Sequence, residues 1–342
     1  MELTVSEHVD GERWDAALRE IGGTIYHSSV WARYIRAASP NAAPRFMTLT
    51  SEDGNTVGMA LGFQERSRHR LLAPLTGHVR FESMPAVGEE DGGILTEFLR
   101  LVESYALDLG SAELTVGSYA SFQGARSLAE LGFDVTKRVE FELDLGPSED
   151  DLWNGLEYKR RKNIKKAKRS GVAIRGLPPD QAVPVLRSLQ GESSKRIVAR
   201  GGPDISFHGE AERDAANALL ESGIGRVVGA EVDGQVVSAG LFTCFNGLVY
   251  HTLSGHSREA LKTQAPTLLL WETILRYKQE GAARLNFGGC SIGAIEEDSP
   301  EHGVYAYKKA FGGHCRECTS GHKVLRTGAH AIVRLARAVL RR

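Results

Sequence analysis

The sequence predicts an α+β (mixed α/β) fold built from two tandem copies of one unit, on three observations. A hairpin pattern occurs twice: RFMTLTSEDGNTVGMALGFQ (45–64) reads as two strands joined through Asp53-Gly54, and RVVGAEVDGQVVSAGLFTC (226–244) repeats it around Asp233-Gly234. Each hairpin precedes a helix, a glycine and an apolar strand, EFLRLVESYALDLGSAELTVGS (97–118) in the first copy and LLLWETILRYKQEGAARLNFGG (268–289) in the second. The 342 residues, 42% hydrophobic and 25% charged, are enough for two such domains, expected at 1–146 and 147–342, each a twisted mixed sheet flanked by helices.

Between the copies, SEDDLWNGLEYKRRKNIKKAKRSG predicts one long basic helix over 148–170. Ser148 is its N-cap, acids fill its first turn, bases its last, and Gly171 stops it. Its apolar stripe is narrow: Leu156, Ile164 and Ala167. In the second copy Leu268, Leu269, Trp271 and Ile274 mark the buried side of a helix closed by Gly281 at C′, followed by the strand AARLNFGG. A further short helix carries Tyr305, Tyr307, Lys308 and Lys309, and the first copy has no counterpart to this VYAYKKAFGG segment. HCRECTSGH has the residue types of a zinc site, but a lone C-x-x-C without a second pair, alternating after Gly-Gly, fits a strand better, so no metal is expected. Cys244 and Cys290 read as core or loop residues. The tail over 327–342 alternates Ile332, Val333, Leu335, Val339 and Leu340 with Arg334, Arg337, Arg341 and Arg342. It reads as an amphipathic helix that either packs on the second domain or rests on anionic lipid.

The net charge of −1 conceals an asymmetry. Residues 1–150 hold 13 Lys plus Arg against 24 Asp plus Glu, and residues 151–342 hold 29 against 19. Eight of those bases lie in KRRKNIKKAKR (159–169) and six more in the acid-free stretch from Lys323 to Arg342, so an anionic partner meets the C-terminal half first. The N-terminus has neither a basic n-region nor an apolar h-region, no run of about eighteen apolar residues occurs, and four cysteines make no disulfide framework; a cytoplasmic location is expected. A GxxxxGK[ST] loop, a GxSxG elbow, HExxH and a GxGxxG before a helix are all missing, so nucleotide hydrolysis, serine hydrolysis and dehydrogenase chemistry have no support in the sequence.

Four segments carry a resemblance: HSSVWARYIR (27–36), YKRRKNIKKAKRSGVAIR (158–175), APTLLLWETILRYKQEGAARLNFGG (265–289) and VYAYKKAFGG (304–313). In this order they resemble the Fem family of peptidoglycan bridge aminoacyltransferases and their GNAT-like relatives. The resemblance implies two tandem GNAT-like domains and transfer of an amino acid from aminoacyl-tRNA to an amine, with aminoacyl-tRNA as co-substrate and no bound cofactor. The acceptor it implies is a peptidoglycan precursor or a peptide-like metabolite. The family's long coiled-coil arm has no counterpart among these residues, which leaves the acceptor open between the two. The alternative donor is acyl-CoA, whose pyrophosphate takes a glycine-rich turn at a helix N-terminus; the corresponding SGHSREALKTQAP has no paired glycines between Arg258 and Pro266. A third reading is a non-catalytic RNA- or membrane-binding protein that uses only the basic helix and tail.

By this resemblance Lys308 matches the catalytic lysine, which would stabilise the tetrahedral oxyanion formed when an amine attacks an aminoacyl ester. Tyr307 supplies the aromatic position, whose backbone carbonyl helps accept the amine proton. Trp31, Arg36, Arg196 and Arg200 are the candidate acceptor-binding residues. Lys159, Arg160, Arg161, Lys162 and Lys165 are the candidate contacts to nucleic-acid or lipid phosphates.

Overall fold

The computed structural model describes residues 1–66, 76–88, 92–199, 201, 204 and 210–328. Two compact units emerge: one of Met1–Lys137 with Glu317 onward, the other of Arg138–Arg316. The division differs from the 146/147 boundary expected above, because β-strand residues 138–144 pair within the second unit and the last strand returns to the first.

The first unit begins with β1 (Glu2–Ser6), α1 (Gly11–Glu20) and α2 (Ser29–Ala38). It continues through β2 (Ala43–Thr50), β3 (Thr56–Glu65), β4 (His78–Phe81), β5 (Ala86–Val87), α3 (Gly92–Asp108), β6 (Glu113–Val116) and α4 (Ala125–Glu130). β1, β2, β3 and β4 form an antiparallel meander, and β4 then pairs in parallel with β6. Burial of Met47, Phe81, Phe98, Leu99, Val102 and Leu114 holds α3 against this sheet. The glycine expected after this helix is Gly110, two residues past the end of α3, with φ +70°.

β7 (Asp134–Asp144) enters the second unit at Arg138. There follow α5 (Glu149–Gly155), α6 (Tyr158–Arg169), β8 (Ala173–Gly176), α7 (Pro179–Val198) and α8 (Glu210–Glu221). Next come β9 (Gly225–Val232), β10 (Gln235–Phe245), β11 (Leu248–His256), α9 (Arg258–Thr263), α10 (Ala265–Gln279), β12 (Arg284–Ser291) and α11 (His302–Lys309). The sheet order is β7-β12-β11-β10-β9-β8, antiparallel except for the parallel β11-β12 pair, across which α10 makes the crossover. β13 (His314–Val324) closes the described chain, and its Gly321–Val324 segment pairs with β6 in the first unit.

Both hairpins expected from Asp-Gly pairs are present. Asp233 and Gly234 both have positive φ, as a two-residue hairpin turn requires, whereas β2 and β3 are joined by a longer loop with only Gly54 at positive φ. HCRECTSGH is the strand expected. Among the described residues no group of His, Cys, Asp or Glu is arranged to hold a metal ion, and no helix is long and apolar enough to cross a membrane.

The single helix expected over 148–170 is two helices. Ser148 caps the first, accepting from Asp151 N–H at 3.1 Å, and Gly171 follows the second with φ +72°. Between them Leu156 and Glu157 are extended, and Glu157 N–H bonds Ala310 O at 3.0 Å. The break is held by Arg161, whose guanidinium donates to Asn154 O at 2.9 Å and Leu156 O at 2.6 Å, satisfying carbonyls a continuous helix would have paired. Leu156, Ile164 and Ala167 are buried as the stripe required. Of the tail helix expected over 327–342, residues 329–342 lie outside the described residues.

Candidate active site

The parallel ladder between β11 and β12 is short: Leu248–Tyr250 pair with Arg284–Asn286, and beyond them the strands part. Each is irregular where they separate. β11 has one extra residue, Thr252, against β10, and β12 bulges against β7 between Asn286 and Gly289. Gly288 sits in that bulge with φ +71°, a geometry that favours glycine. The first unit has the same strand pair without the opening. Past β4 and β6, Gly117 N–H bonds Phe81 O at 2.8 Å and Tyr119 N–H bonds Glu82 O at 3.1 Å, which keeps the two chains together.

α11 brings Lys308 to the opening of the second unit. Its Nζ donates to Gly289 O at 2.8 Å, leaving two N–H donors of the ammonium uncommitted to that bond. Burial lowers the Lys308 value from 10.5 to about 8, with Arg138 acting in the same direction and Cys290, Glu140 and Glu301 opposing. The group is still mostly charged at neutral pH. Burial pushes the Cys290 thiol up, so this neighbour is a neutral thiol and not an activated nucleophile.

Tyr307 lies against the N-terminus of α10, its Oη donating to Pro266 O at 3.2 Å. Burial raises its hydroxyl to about 12. The helix tightens after it: Phe311 N–H bonds Lys308 O at 3.1 Å, so the Tyr307 carbonyl is left without the donor that a continuing α-helix would supply.

The basic residues of α6 divide by what they touch. Arg160 lies over the Tyr307 ring at 4.3 Å and the Phe311 ring at 5.6 Å, and Arg161 holds the α5–α6 break, so both turn inward. Lys159, Lys162 and Lys165 are exposed, Lys165 reaching the Trp153 ring at 5.9 Å. Lys159, Lys162, Lys166 and Arg169 fall at intervals of three, four and three, one exposed face of the helix, and among the described residues none of the four has an acidic partner. Periodicity alone does not separate this face from Arg160 and Arg161.

The remaining candidates lie elsewhere. Arg196, on α7, donates to Ser193 Oγ at 2.9 Å and to His256 O. Arg200 lies outside the described residues. Trp31 and Arg36 belong to α2 of the first unit. Trp31 is only 6% exposed, wedged edge-on to Tyr26 at 4.7 Å and stacked on Tyr34 at 4.5 Å, while Arg36 is exposed.

Sequence reading missed one group altogether. Glu140, fully buried, accepts from Tyr250 Oη at 2.9 Å, from Asn286 Nδ2 at 2.7 Å and from Arg138 at 3.0 Å. Asn286 Oδ1 in turn accepts from Gly288 N–H at 2.7 Å, tying the carboxylate to the bulge. The available signal was the run VEFELDL, in which Glu140, Glu142 and Asp144 alternate with apolar residues; nothing local indicated their partners.

α9 and α10 follow β11 and meet at Gln264. Gln264, in left-handed conformation, ends α9 and begins α10; Pro266 removes one N–H, and Thr267 N–H bonds Gln264 O at 3.0 Å. Ala265, Pro266 and Thr267 are buried.

Residues 158–309 match the acetyltransferase (GNAT) domain family. Three solved structures share the fold across nearly the whole chain. FemX has a TM-score of 0.78 at 14% identity, covering 97% of this chain and 100% of its own. L-PGS from Bacillus licheniformis has 0.56 at 17%, covering 97% of each. A tandem GNAT protein from the clavulanic acid biosynthesis pathway has 0.53 at 16%, covering 95% and 99%. No curated protein matches the sequence. The chain has a tandem GNAT-like fold, as the resemblance implied.

Proposed function

We propose that this acyltransferase moves an amino acid from aminoacyl-tRNA to an amine of a peptidoglycan precursor or a peptide-like metabolite. The observation that carries the proposal is the Lys308 ammonium, held at the point where β11 and β12 part. When the amine attacks the ester, charge gathers on the carbonyl oxygen, and a fixed ammonium with two donors to spare stabilises charge that exists only in the transition state. The Tyr307 carbonyl is the acceptor for the amine proton. The surplus proton ends on the departing ribose oxygen, so no protein nucleophile is needed.

Two features support a tRNA donor. The exposed stripe Lys159–Lys162–Lys166–Arg169 presents about 15 Å of positive charge, at about 1.5 Å per residue, to a polyanion. The N-terminus of α10 offers little to a coenzyme A pyrophosphate, because Ala265, Pro266 and Thr267 are buried, Pro266 has no N–H, and the N–H groups of Thr267 and Leu268 bond Gln264 O. Fold likeness to FemX and to L-PGS is consistent with aminoacyl transfer. The match to an acetyltransferase family favours acyl-CoA as the second reading. Purified protein is expected to show a thermal shift with a mixture of charged tRNAs and to consume their ester in the presence of peptide amines. A shift with coenzyme A and none with charged tRNA would reverse the choice. The site of action proposed is the cytoplasm, with peripheral membrane contact where the acceptor is lipid-linked.

A further inference from the structure

At the start of the β11–β12 ladder, opposite the end where the strands part, the second unit has a cavity of about 320 Å³ whose lining includes Ile224, Arg226, Cys244, Tyr277, Glu280 and Ala282. That volume is at the small end of ligand sites. Tyr277 is only 3% exposed, yet among the described residues its hydroxyl has no hydrogen-bond partner. A buried hydroxyl without a partner is costly, and three of the four groups that act electrostatically on this one, Arg226, Cys244 and Glu280, line the cavity with it. Arg226 also has donors to spare. Its Nη1 is committed to Glu280 at 2.6 and 2.8 Å, which leaves Nη2 and Nε without protein partners among the described residues. Burial raises the Tyr277 hydroxyl to about 12 and pushes the Cys244 thiol up, so both are protonated and neutral near pH 7. The charged groups acting on that hydroxyl are Arg226, Arg276 and Glu280, which also accepts from Arg276 Nε at 3.2 Å; together they leave one positive charge unbalanced.

We propose that this cavity binds a small organic carboxylate. One carboxylate oxygen accepts from Tyr277 Oη and the other from the uncommitted edge of Arg226, while the carbon skeleton lies against Ile224, Cys244 and Ala282. The anion neutralises the charge that Glu280 leaves unbalanced. The site is independent of the Lys308 chemistry. Tyr277 is eleven residues along α10 from Pro266, which receives the Tyr307 hydroxyl, a separation of about 16 Å at about 1.5 Å per residue.

Sodium butyrate is the probe, titrated calorimetrically into the full chain near neutral pH. Saturable binding is expected, with butyramide, which keeps the shape and loses the charge, at least about tenfold weaker. Tyr277→Phe removes one oxygen atom and keeps the packed ring, and should weaken butyrate about tenfold, the loss of one hydrogen bond to a charged group. Arg226→Gln should weaken it at least as much. Cys244 reports the location: bound butyrate should slow its reaction with methyl methanethiosulfonate, read by mass spectrometry of the digested protein, while the exposed Cys315 reacts at an unchanged rate. No saturable binding, or the same affinity in Tyr277→Phe, overturns the proposal. Binding that leaves Cys244 unprotected also overturns it, because the ligand then sits elsewhere. Inorganic phosphate matching butyrate in affinity would overturn the assignment to a carboxylate.

Discussion

Replacing Lys308 by Met should make the protein more stable and inactive at once. Burial lowers the lysine from 10.5 to about 8. At about 1.4 kcal/mol per pH unit, the folded state disfavours the ammonium by about 3 kcal/mol at neutral pH. Met fills a similar volume without charge, and the lost hydrogen bond to Gly289 O returns about 1 kcal/mol, leaving a net stabilisation of about 2 kcal/mol. The pH dependence has a definite sign. Between about 8 and 10.5 the unfolded lysine holds a proton that the folded one has released, so wild-type stability rises with pH across that window and the advantage of Met disappears above it. Urea unfolding of both proteins at pH 7 and above pH 10 measures this directly. Activity should fall about 10²- to 10³-fold in Lys308→Met, and wild-type turnover should decline as pH rises through about 8. A Met variant less stable at pH 7, or one whose stability difference is the same at both pH values, would refute the argument from burial.

Two further outcomes follow from the basic helix. Exchanging Lys159, Lys162, Lys166 and Arg169 for Gln should reduce the slope of log affinity for tRNA against log salt by about one for each phosphate no longer neutralised, with thermal stability unchanged, as read by filter binding over a salt series. Arg161→Ala should leave that slope alone and instead destabilise the second unit by about 1–3 kcal/mol, because the carbonyls of Asn154 and Leu156 lose their donor; chemical unfolding reads the difference. Glu140→Ala should cost about 3–5 kcal/mol in the same measurement, since it leaves the Arg138 guanidinium, Asn286 and the Tyr250 hydroxyl without their shared partner.

Signals written in neighbouring residues are legible in the sequence. The two Asp-Gly hairpins, the glycine ends of α3 and α10, the Ser148 cap and the short Tyr-Lys-Lys helix all depend on backbone geometry within a few residues, and each formed as expected. The α5–α6 break was not legible, because a continuous basic amphipathic pattern runs through Gly155 and Leu156. What ends the helix is Arg161 reaching back to its carbonyls and Ala310 accepting from Glu157, one partner five residues away and the other more than 150. The unit boundary was missed for a similar reason: β7 and β13 take partners far along the chain.

The sequence by itself determined that the fold is duplicated, that the positive charge concentrates in the second half, and that only the second copy has a lysine helix after its glycine-rich strand. Tertiary structure alone decided that β11 and β12 part beside that lysine, and that Arg160 and Arg161 turn inward while a separate stripe of cations faces out. It also decided that a buried carboxylate from β7 reaches Tyr250 and Asn286 on two other strands. Local propensity and periodicity act over a turn or two of chain. The polarity of a site is set by which distant strands a sheet places side by side, and that is decided only when the whole unit packs.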